Sequence, residues 1–313
     1  MPTITGKAFE VVVVMEDGYW EGPAGKIVRD TLGADMDGLL QSEPVFSIVR
    51  IASDAFNNLF RTHRNILRIN IHPDNRKQTI LYSSNVYAKP QLVVDIKAES
   101  PEKFLEIWKR YGKEISDKFV EKELSRIISN YSSFESTDIG TKLRKQHALS
   151  LTVPKGYIYD VDQANFAWIT LETPKHSQGL IMYYYDYESP DQLEPERLIA
   201  KRNLYTRKYV PGPIEGTYMS TETELPVESS KFMKDSLYYV EMRGLWKLEG
   251  PDFMGGPFVS LTTVDTLRQR IITVEGYVYA PKDDKRNYVR QVEAIIHSLQ
   301  IAPLDPAMEV TVE

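Results

Sequence analysis

The chain contains no cysteine among its 313 residues. This absence excludes disulfides, thiol chemistry, iron–sulfur clusters and cysteine-based zinc sites. It leaves the cellular compartment open, because a chain of this length can build a core that needs no covalent staple. The five histidines do not replace the missing ligands: none lies three to five residues from another, so no helix or hairpin presents a ready metal pair.

Long apolar runs and nucleotide-binding loops are missing as well. The longest clean apolar run, from Val11 to Met15, is far shorter than the roughly 20 residues of a membrane-spanning helix. The segment from Gly22 to Lys26 resembles a phosphate loop, but Trp20 stands where the first glycine belongs and Ile27 where the Ser or Thr belongs. No G-x-G-x-x-G or G-x-S-x-G motif occurs. We therefore expect no cofactor and no metal.

Basic residues are fewer than acidic residues in this chain. The chain has 38 Lys and Arg against 44 Asp and Glu, a net charge of −6. The basic residues are mixed with acids, as in the segment from Lys282 to Arg286. A nucleic-acid-binding protein needs a cationic face, so we expect no such partner. The segment from Met1 to Gly6 has neither a basic region nor an apolar signal core, which indicates either a cytoplasmic chain or a targeting segment ahead of the printed sequence.

The residues that are present predict an α+β protein of two domains. A length of 313 residues exceeds most single cores. In the first half, strands alternate with helices: the run from Val11 to Val14 is typical of a strand buried on both faces. An apolar stripe from Phe104 to Ile128 predicts the longest helix. The polar, aperiodic stretch from Asn130 to Thr137 marks the boundary, so residues 1–135 form an α/β domain with a mixed sheet.

The second half is richer in strands. The longest predicted strand runs from Arg270 to Tyr279, and a closing helix runs from Tyr288 to Leu299. Strands in runs, interrupted by helices at two points, predict an antiparallel sheet flanked by helices over residues 136–302. Residues 303–313 are expected to form a loose tail.

A glycine-rich aromatic segment, residues 243–258, is the strongest candidate for a binding loop. It mixes aromatic residues, one arginine and a Gly-Gly-Pro turn between two strands, and residues of these types dominate binding surfaces. The residues predicted to bind are Arg243, Trp246, Phe253 and Met254. The arginine would offer a forked donor to a carboxylate or phosphate. Alternatively, the two large aromatic side chains fill the end of the sheet. Residues 210–219, with a Pro-Gly-Pro bend, have a similar character.

Carboxylates keep an enzyme open as an alternative. Asp35 and Asp37 lie two residues apart, as do Glu222 and Glu224, although solvated charge explains both pairs. Hydrolysis of a glycoside needs two carboxylates across a cleft, which a sequence cannot show. We favour a non-enzymatic protein that binds a partner protein or a small ligand. The alternative is a hydrolase acting on a saccharide or peptide through carboxylates that converge only in three dimensions, and we assign no catalytic residue.

Short motifs in order along nearly the whole chain resemble an uncharacterised lipoprotein family of Bacteroidetes, the domain of unknown function 4837. These motifs are Met15 to Pro23, Gln41 to Pro44, Phe56 to Asn58, Thr62 to Ile66, Ala200 to Arg202, Pro211 to Pro213, Arg243 to Lys247, Met254 to Phe258 and Tyr277 to Pro281. Residues 149–302 are more distantly similar in layout to α/β/α sandwiches of the PsbP and Mog1 type. The resemblance implies a cell-envelope location, periplasmic or at the surface, and a lipid anchor on a cysteine ahead of this sequence. Contact with a membrane would be through that anchor alone.

Overall fold

The computed structural model describes residues 1–251 and 253–303. The chain divides into two compact units: Met1–Met36 with Ser42–Arg126, and Asp37–Gln41 with Ile127–Glu313. The sequence predicted the boundary after Glu135; the division instead falls inside the longest helix, and a short segment of the first half joins the second unit. Apart from Pro303, the predicted loose tail lies outside the described residues.

The first unit contains a five-stranded sheet, three helices and most of a fourth. Its strands are β1 (Glu10–Val14), β2 (Ser47–Ile51), β3 (Asn65–Ile71), β4 (Thr79–Ser84) and β5 (Leu92–Ala98), in the order β2-β1-β3-β5-β4. The helices are α1 (Asp17–Trp20), α2 (Pro23–Leu32), α3 (Asn58–Arg61) and α4 (Pro101–Ser132). The pairs are parallel except for β4, which runs antiparallel to β5. The sheet is therefore mixed, as the sequence predicted.

The core of the first unit follows the apolar pattern of its sequence. Val11, Val12 and Val13 have no exposed surface, because β1 lies inside the sheet and apolar side chains cover both faces. On α4 the buried Trp108 donates its indole N–H to Thr31 Oγ1 at 2.9 Å. This bond satisfies the polar edge of an aromatic side chain that is otherwise in the core.

The second unit is built on an eight-stranded antiparallel sheet. Its elements, with those of the small sheet formed by β6 and β15, are α5 (Thr137–Lys142), β6 (Leu149–Ser150), β7 (Ile158–Gln163), β8 (Phe166–Glu172), β9 (Ser177–Asp186), α6 (Pro195–Tyr209), β10 (Tyr218–Thr221), β11 (Glu228–Lys234), β12 (Leu237–Glu249), β13 (Gly255–Asp265), β14 (Arg270–Tyr279), α7 (Arg286–His297) and β15 (Gln300–Ile301). The strand order is β10-β12-β13-β14-β9-β8-β7, and β11 also pairs with β12.

Helices α6 and α7 cover opposite faces of this sheet. Successive side chains of a strand point to opposite faces, and β12 shows the consequence. Met242 and Trp246 join Leu198 of α6 in one buried cluster, whereas Glu241 forms an ion pair with His297 of α7. The predicted fold class, a mixed sheet followed by an antiparallel sheet flanked by helices, is confirmed.

The predicted loop over residues 243–258 is wrong in its extent. β12 continues to Glu249 and β13 begins at Gly255, so most of the segment belongs to paired strands. Glycine here serves close packing: a Cβ on Gly256 would lie 2.1 Å from the Val278 carbonyl oxygen and 3.2 Å from Trp246 Nε1. The glycine-rich composition therefore reflects a crowded strand rather than a long mobile loop.

Candidate functional site

Four connections leave the large sheet at the same end. The register pairs Tyr279, where β14 ends, with Ser177, where β9 begins; it likewise pairs Glu249 at the end of β12 with Tyr218 at the start of β10. In antiparallel strands, such paired ends lie at the same end of the sheet. We call this end of the sheet the loop end; it comprises residues 173–176, 211–217, the described residues of 250–254, and 280–285. Loops on a rigid sheet are where binding residues concentrate.

The β12–β13 hairpin tip projects from the loop end. Gly250 has a φ of +123°, a conformation open to glycine at little cost. The Leu248 N–H donates to the Met254 carbonyl at 2.9 Å, which closes the base of the turn. Phe253 is 100% exposed, while the partly buried Met254 packs against the core cluster. The tip therefore presents a large aromatic side chain on an anchored turn.

The second proline- and glycine-rich stretch lies beside this tip. A Cβ on Gly250 would lie 2.6 Å from Thr217 Cγ2, so the two loops touch. Thr217 donates its hydroxyl to the Ile214 carbonyl at 2.6 Å and thereby ties its own loop together. Ile214 is 46% exposed. Both stretches stand out in the sequence, where Ile214 and Gly250 are 36 residues apart (250 − 214). In the structure they form one surface.

Trp246 lies beneath the tip, inside the core. Its side chain is 3% exposed, and its indole N–H donates to the Val278 carbonyl at 3.1 Å. The ring packs edge-on against Tyr277, with centroids 5.4 Å apart. The expectation that Trp246 offers apolar area to a partner is therefore wrong. For this residue the alternative that the sequence left open, an aromatic side chain filling the end of the sheet, describes the structure.

Arg243 faces α7 and not the hairpin tip. Its guanidinium contacts Glu241 at 2.8 Å and Glu293 at 2.5 Å. Both carboxylates already occupy the forked donor that the sequence assigned to a ligand. Of the four predicted binding residues, the structure therefore places Phe253 and Met254 together at the tip, Trp246 below it, and Arg243 on the α7 face of the sheet.

An acidic cluster with one histidine lies around Arg243. Ligand atoms of Glu241, Glu293 and His297 all lie within 4.8 Å of one another, a spacing that would suit one cation. Arg243 contacts both carboxylates, however, and Arg290 adds bonds of 2.8 and 3.0 Å to Glu293. Two guanidinium groups balance the two carboxylates, so a metal ion would have to displace Arg243. The donor set is better suited to an internal ion network.

The pKa values of this cluster oppose a role in acid catalysis. Burial alone would raise the pKa of Glu241, but Arg243 and His297 outweigh it and lower that pKa from 4.5 to about 2. Burial likewise opposes ionisation of Glu293, and Arg243 and Arg290 lower its pKa overall. A general acid needs a raised pKa. Both carboxylates therefore stay ionised at neutral pH and cannot supply a proton.

Acid unfolding provides a test of this network. A carboxylate whose pKa is lower in the folded state stabilises the fold above its unfolded pKa, and this stability disappears as the pH falls through the folded pKa. We expect the Glu241 contribution to disappear between pH 4.5 and about 2. Urea unfolding at a series of pH values should show a shallower acid loss for Glu241→Gln than for the parent. The exposed Glu215→Gln serves as control, and identical profiles for Glu241→Gln and the parent would contradict the assignment.

The loop end also contains a cavity of about 400 Å³. Its lining combines cationic, hydroxyl and apolar side chains: Thr173, Pro174, Lys175, His176, Ser177, Tyr279, Pro281, Lys282 and Asp283. The sequence analysis did not select these residues. They come from two segments about a hundred residues apart (279 − 177), and only the pairing of β9 with β14 brings them together.

The first unit has a cavity of about 530 Å³ between edge strand β4 and helix α4. Tyr82, Tyr111 and Glu114 are among its lining residues. Burial raises the pKa of Tyr82, and the nearby Glu114 carboxylate adds to the effect. The phenol therefore stays protonated at neutral pH. The cavity offers aromatic walls and a hydrogen-bond donor, and we assign it no reaction.

Two family descriptions match the chain. One, Domain of unknown function (DUF4837), matches residues 136–298, which is more than half of the 313 residues. The other, Domain of unknown function (DUF8532), matches residues 4–132. No curated protein matches the chain. Within the described residues, no helix is long and apolar enough to cross a membrane.

Several solved structures are similar to about half of the chain. The Ran-binding protein Mog1p of Saccharomyces cerevisiae matches at 8% identity and a TM-score of 0.33, over 49% of this chain and 90% of that chain. A mutant of protein Mog1 matches at 8% identity and a TM-score of 0.32, over 50% and 91%. LpqN of Mycobacterium tuberculosis, described as involved in cell envelope biogenesis, matches at 13% identity and a TM-score of 0.29, over 50% and 83%. Likeness at this level concerns the fold alone.

Proposed function

The chain belongs to the family described as a domain of unknown function (DUF4837), a description that assigns no activity, and we propose that it is a non-enzymatic cell-envelope protein. In this proposal it binds a partner protein through the tip of the β12–β13 hairpin. The observation that carries the proposal is the complete exposure of Phe253 on an anchored turn.

A partner that covers the exposed phenylalanine at the hairpin tip would remove its apolar surface from water. An aromatic side chain buries roughly 150–250 Å² when it enters a pocket. At about 25 cal/mol per Å² this burial is worth several kcal/mol, before the entropic cost of association. The exposed side chain of Ile214 lies on the neighbouring loop and extends the apolar area. Such an anchor with a polar surround is the usual form of a binding hot spot.

The shape and charge of the tip favour a protein partner. Small ligands bind in concave sites, whereas Phe253 protrudes. Glu215 lies in the neighbouring loop, and Glu249 is the last residue of β12 at the base of the tip. These acids would be repelled by the negative surface of an anionic membrane. A partner with an apolar pocket and a basic rim fits both features.

The buried pair Glu241 and Glu293, the carboxylate cluster found among the described residues, does not support the hydrolase alternative. Glycoside hydrolysis by paired carboxylates needs one acid with a raised pKa opposite an ionised one. The pKa values of Glu241 and Glu293 are both lowered, and Arg243 holds both carboxylates. Their role is to join β12 to α7.

The envelope location rests on the resemblance of the sequence to a lipoprotein family. We expect the native protein to fractionate with membranes and to resist a high-salt wash, because an acyl anchor is apolar and insensitive to salt. Recovery in the soluble cytoplasmic fraction would contradict this part of the proposal.

Capture of partners from the native envelope tests the hairpin tip. Phe253→Ser is expected to weaken capture by about 30-fold or more, the loss of a hot spot worth about 2 kcal/mol. The midpoint of thermal unfolding should stay unchanged, because the side chain makes no buried contact. Capture is read by quantitative mass spectrometry against the parent protein.

Leu267→Ser is the matched control. Leu267 is 54% exposed and lies in the β13–β14 turn, at the opposite end of the same strand β13. Equal loss of capture in both variants, or full capture by Phe253→Ser, would overturn the proposal. Loss of binding to anionic lipid vesicles, with protein capture intact, would overturn it in favour of a membrane contact.

A further inference from the structure

The cavity of about 400 Å³ at the loop end has the size and chemistry of a ligand site. Pockets for small molecules range from about 300 to 1,000 Å³ and combine apolar walls with a few polar groups. We propose that this cavity binds a small monoanionic carboxylate with a planar apolar body. The proposal does not depend on the hairpin tip, since none of the lining residues belongs to it.

The cationic groups of the cavity are available to an anion. Lys175 and Lys282 both line the cavity and are exposed. Neither ammonium group is among the ion pairs of the described residues, whereas Lys142, Lys231 and Lys247, for example, each pair with a carboxylate. The chain as a whole carries a net charge of −6, and the two lysines bring positive charge to this cavity.

His176 is held in a defined orientation at the wall of the cavity. Thr173 donates its hydroxyl to the His176 carbonyl at 2.7 Å, and the same oxygen lies 3.1 Å from Nδ1. The same oxygen accepts from the backbone N–H groups of His176 at 3.0 Å and Lys175 at 3.3 Å. The ring also stacks on Tyr288, with centroids 3.9 Å apart. These contacts fix the orientation of the ring.

The walls and the remaining charge select a monoanion. Asp283 also lines the cavity, and Glu172 accepts a hydrogen bond from the lining residue Ser177. These two carboxylates balance the two lysines, so the site gains a formal charge of +1 when His176 is protonated. A dianion such as phosphate would meet the Asp283 carboxylate, whereas a monoanion balances the site. Tyr279, Pro174 and Pro281 supply flat apolar surface for the body of the ligand.

Titration with benzoate, followed by the NMR signals of the histidine rings in the intact protein, tests the proposal. Benzamide is the neutral match in shape, and inorganic phosphate is the dianionic comparison. We expect benzoate to shift the His176 signal with saturation, and benzamide and phosphate to bind at least about tenfold more weakly. His176→Gln assigns the signal.

The two lysines provide the matched substitution test. The double variant Lys175→Gln with Lys282→Gln is expected to weaken benzoate binding by about tenfold, the order of one charge-assisted contact. Lys155→Gln, at an exposed lysine in the turn after Pro154, should leave it unchanged. Both ammonium groups are exposed, so the difference should shrink as salt is added.

The pH dependence of benzoate binding supplies a further test. Burial lowers the pKa of His176, and Asp283 and Glu172 oppose the shift. Further titratable groups at the cavity are Tyr279, Tyr288, Lys175 and Lys282. A bound carboxylate stabilises the imidazolium, so benzoate should raise the pKa of His176 and bind more tightly as the pH falls. Benzoate that leaves the His176 signal unmoved, benzamide that binds equally, or a double variant with parental affinity would overturn the proposal.

Discussion

Replacement of Arg202 by methionine is expected to lower the free energy of unfolding by about 3–5 kcal/mol. Neither Arg202 nor Glu275 has exposed side-chain surface, and their two bonds are each 2.7 Å long. Arg202 also donates to Thr221 Oγ1 at 2.9 Å and lies 4.2 Å from the centre of the Phe258 ring. Removal of the cation leaves the Glu275 carboxylate buried without a counter-charge, which is among the costliest single changes in a core.

Urea unfolding measures the loss of stability in Arg202→Met, and two further variants identify its cause. Arg202→Met combined with Glu275→Met should recover most of the loss, because a buried ion pair replaced by apolar side chains is often neutral. Arg197→Met removes a 63% exposed arginine from the same helix and should cost well below about 1 kcal/mol. If the single and double variants are equally unstable, packing rather than the unpaired carboxylate is responsible.

Trp246→Ala is expected to cost a similar amount, about 3–5 kcal/mol. The indole is buried at the base of the hairpin, and its removal leaves a cavity beside Tyr277 and a Val278 carbonyl without its donor. Phe253→Ala, at the tip of the same hairpin, should change the unfolding midpoint little, since Phe253 is 100% exposed. Thermal and urea unfolding of the two variants separate these outcomes.

Partner capture at low temperature should rank the two variants in the reverse order. Trp246→Ala should retain capture where it is still folded, because Trp246 supports the hairpin without reaching its surface. Phe253→Ala should lose capture while remaining stable. If Trp246→Ala kept its parental stability and lost capture, the indole would contact the partner directly and the buried assignment would be wrong.

These predictions separate support from recognition within one hairpin. Trp246 anchors the strands, and Phe253 is presented on the turn that joins them. Sites held by rigid elements lose less entropy on binding than mobile loops do. The same principle applies to the cavity, where Thr173 and Tyr288 fix the ring of His176.

The sequence predicted secondary structure best where hydrophobic periodicity and burial agree. The apolar run in β1 indicated a strand covered on both faces, and the stripe along α4 indicated a long helix; both are present. The predicted loop over residues 243–258 is wrong in its extent, because Gly256 and Trp246 suit paired strands as well as a loop. In the structure they are cross-strand partners, and a glycine opposite a tryptophan signals tight packing as readily as it signals a turn.

The composition alone determined that cysteine chemistry is excluded, and the order of apolar residues determined the succession of strands and helices and the α+β class. Only the tertiary structure decided which side chains meet. Side chains alternate between the two faces of a strand, so the direction of Arg243 and Trp246 depends on register. The cavity joins residues 173–177 to residues 279–283 through the pairing of β9 with β14. Such contacts depend on non-local pairing, which local propensity does not encode.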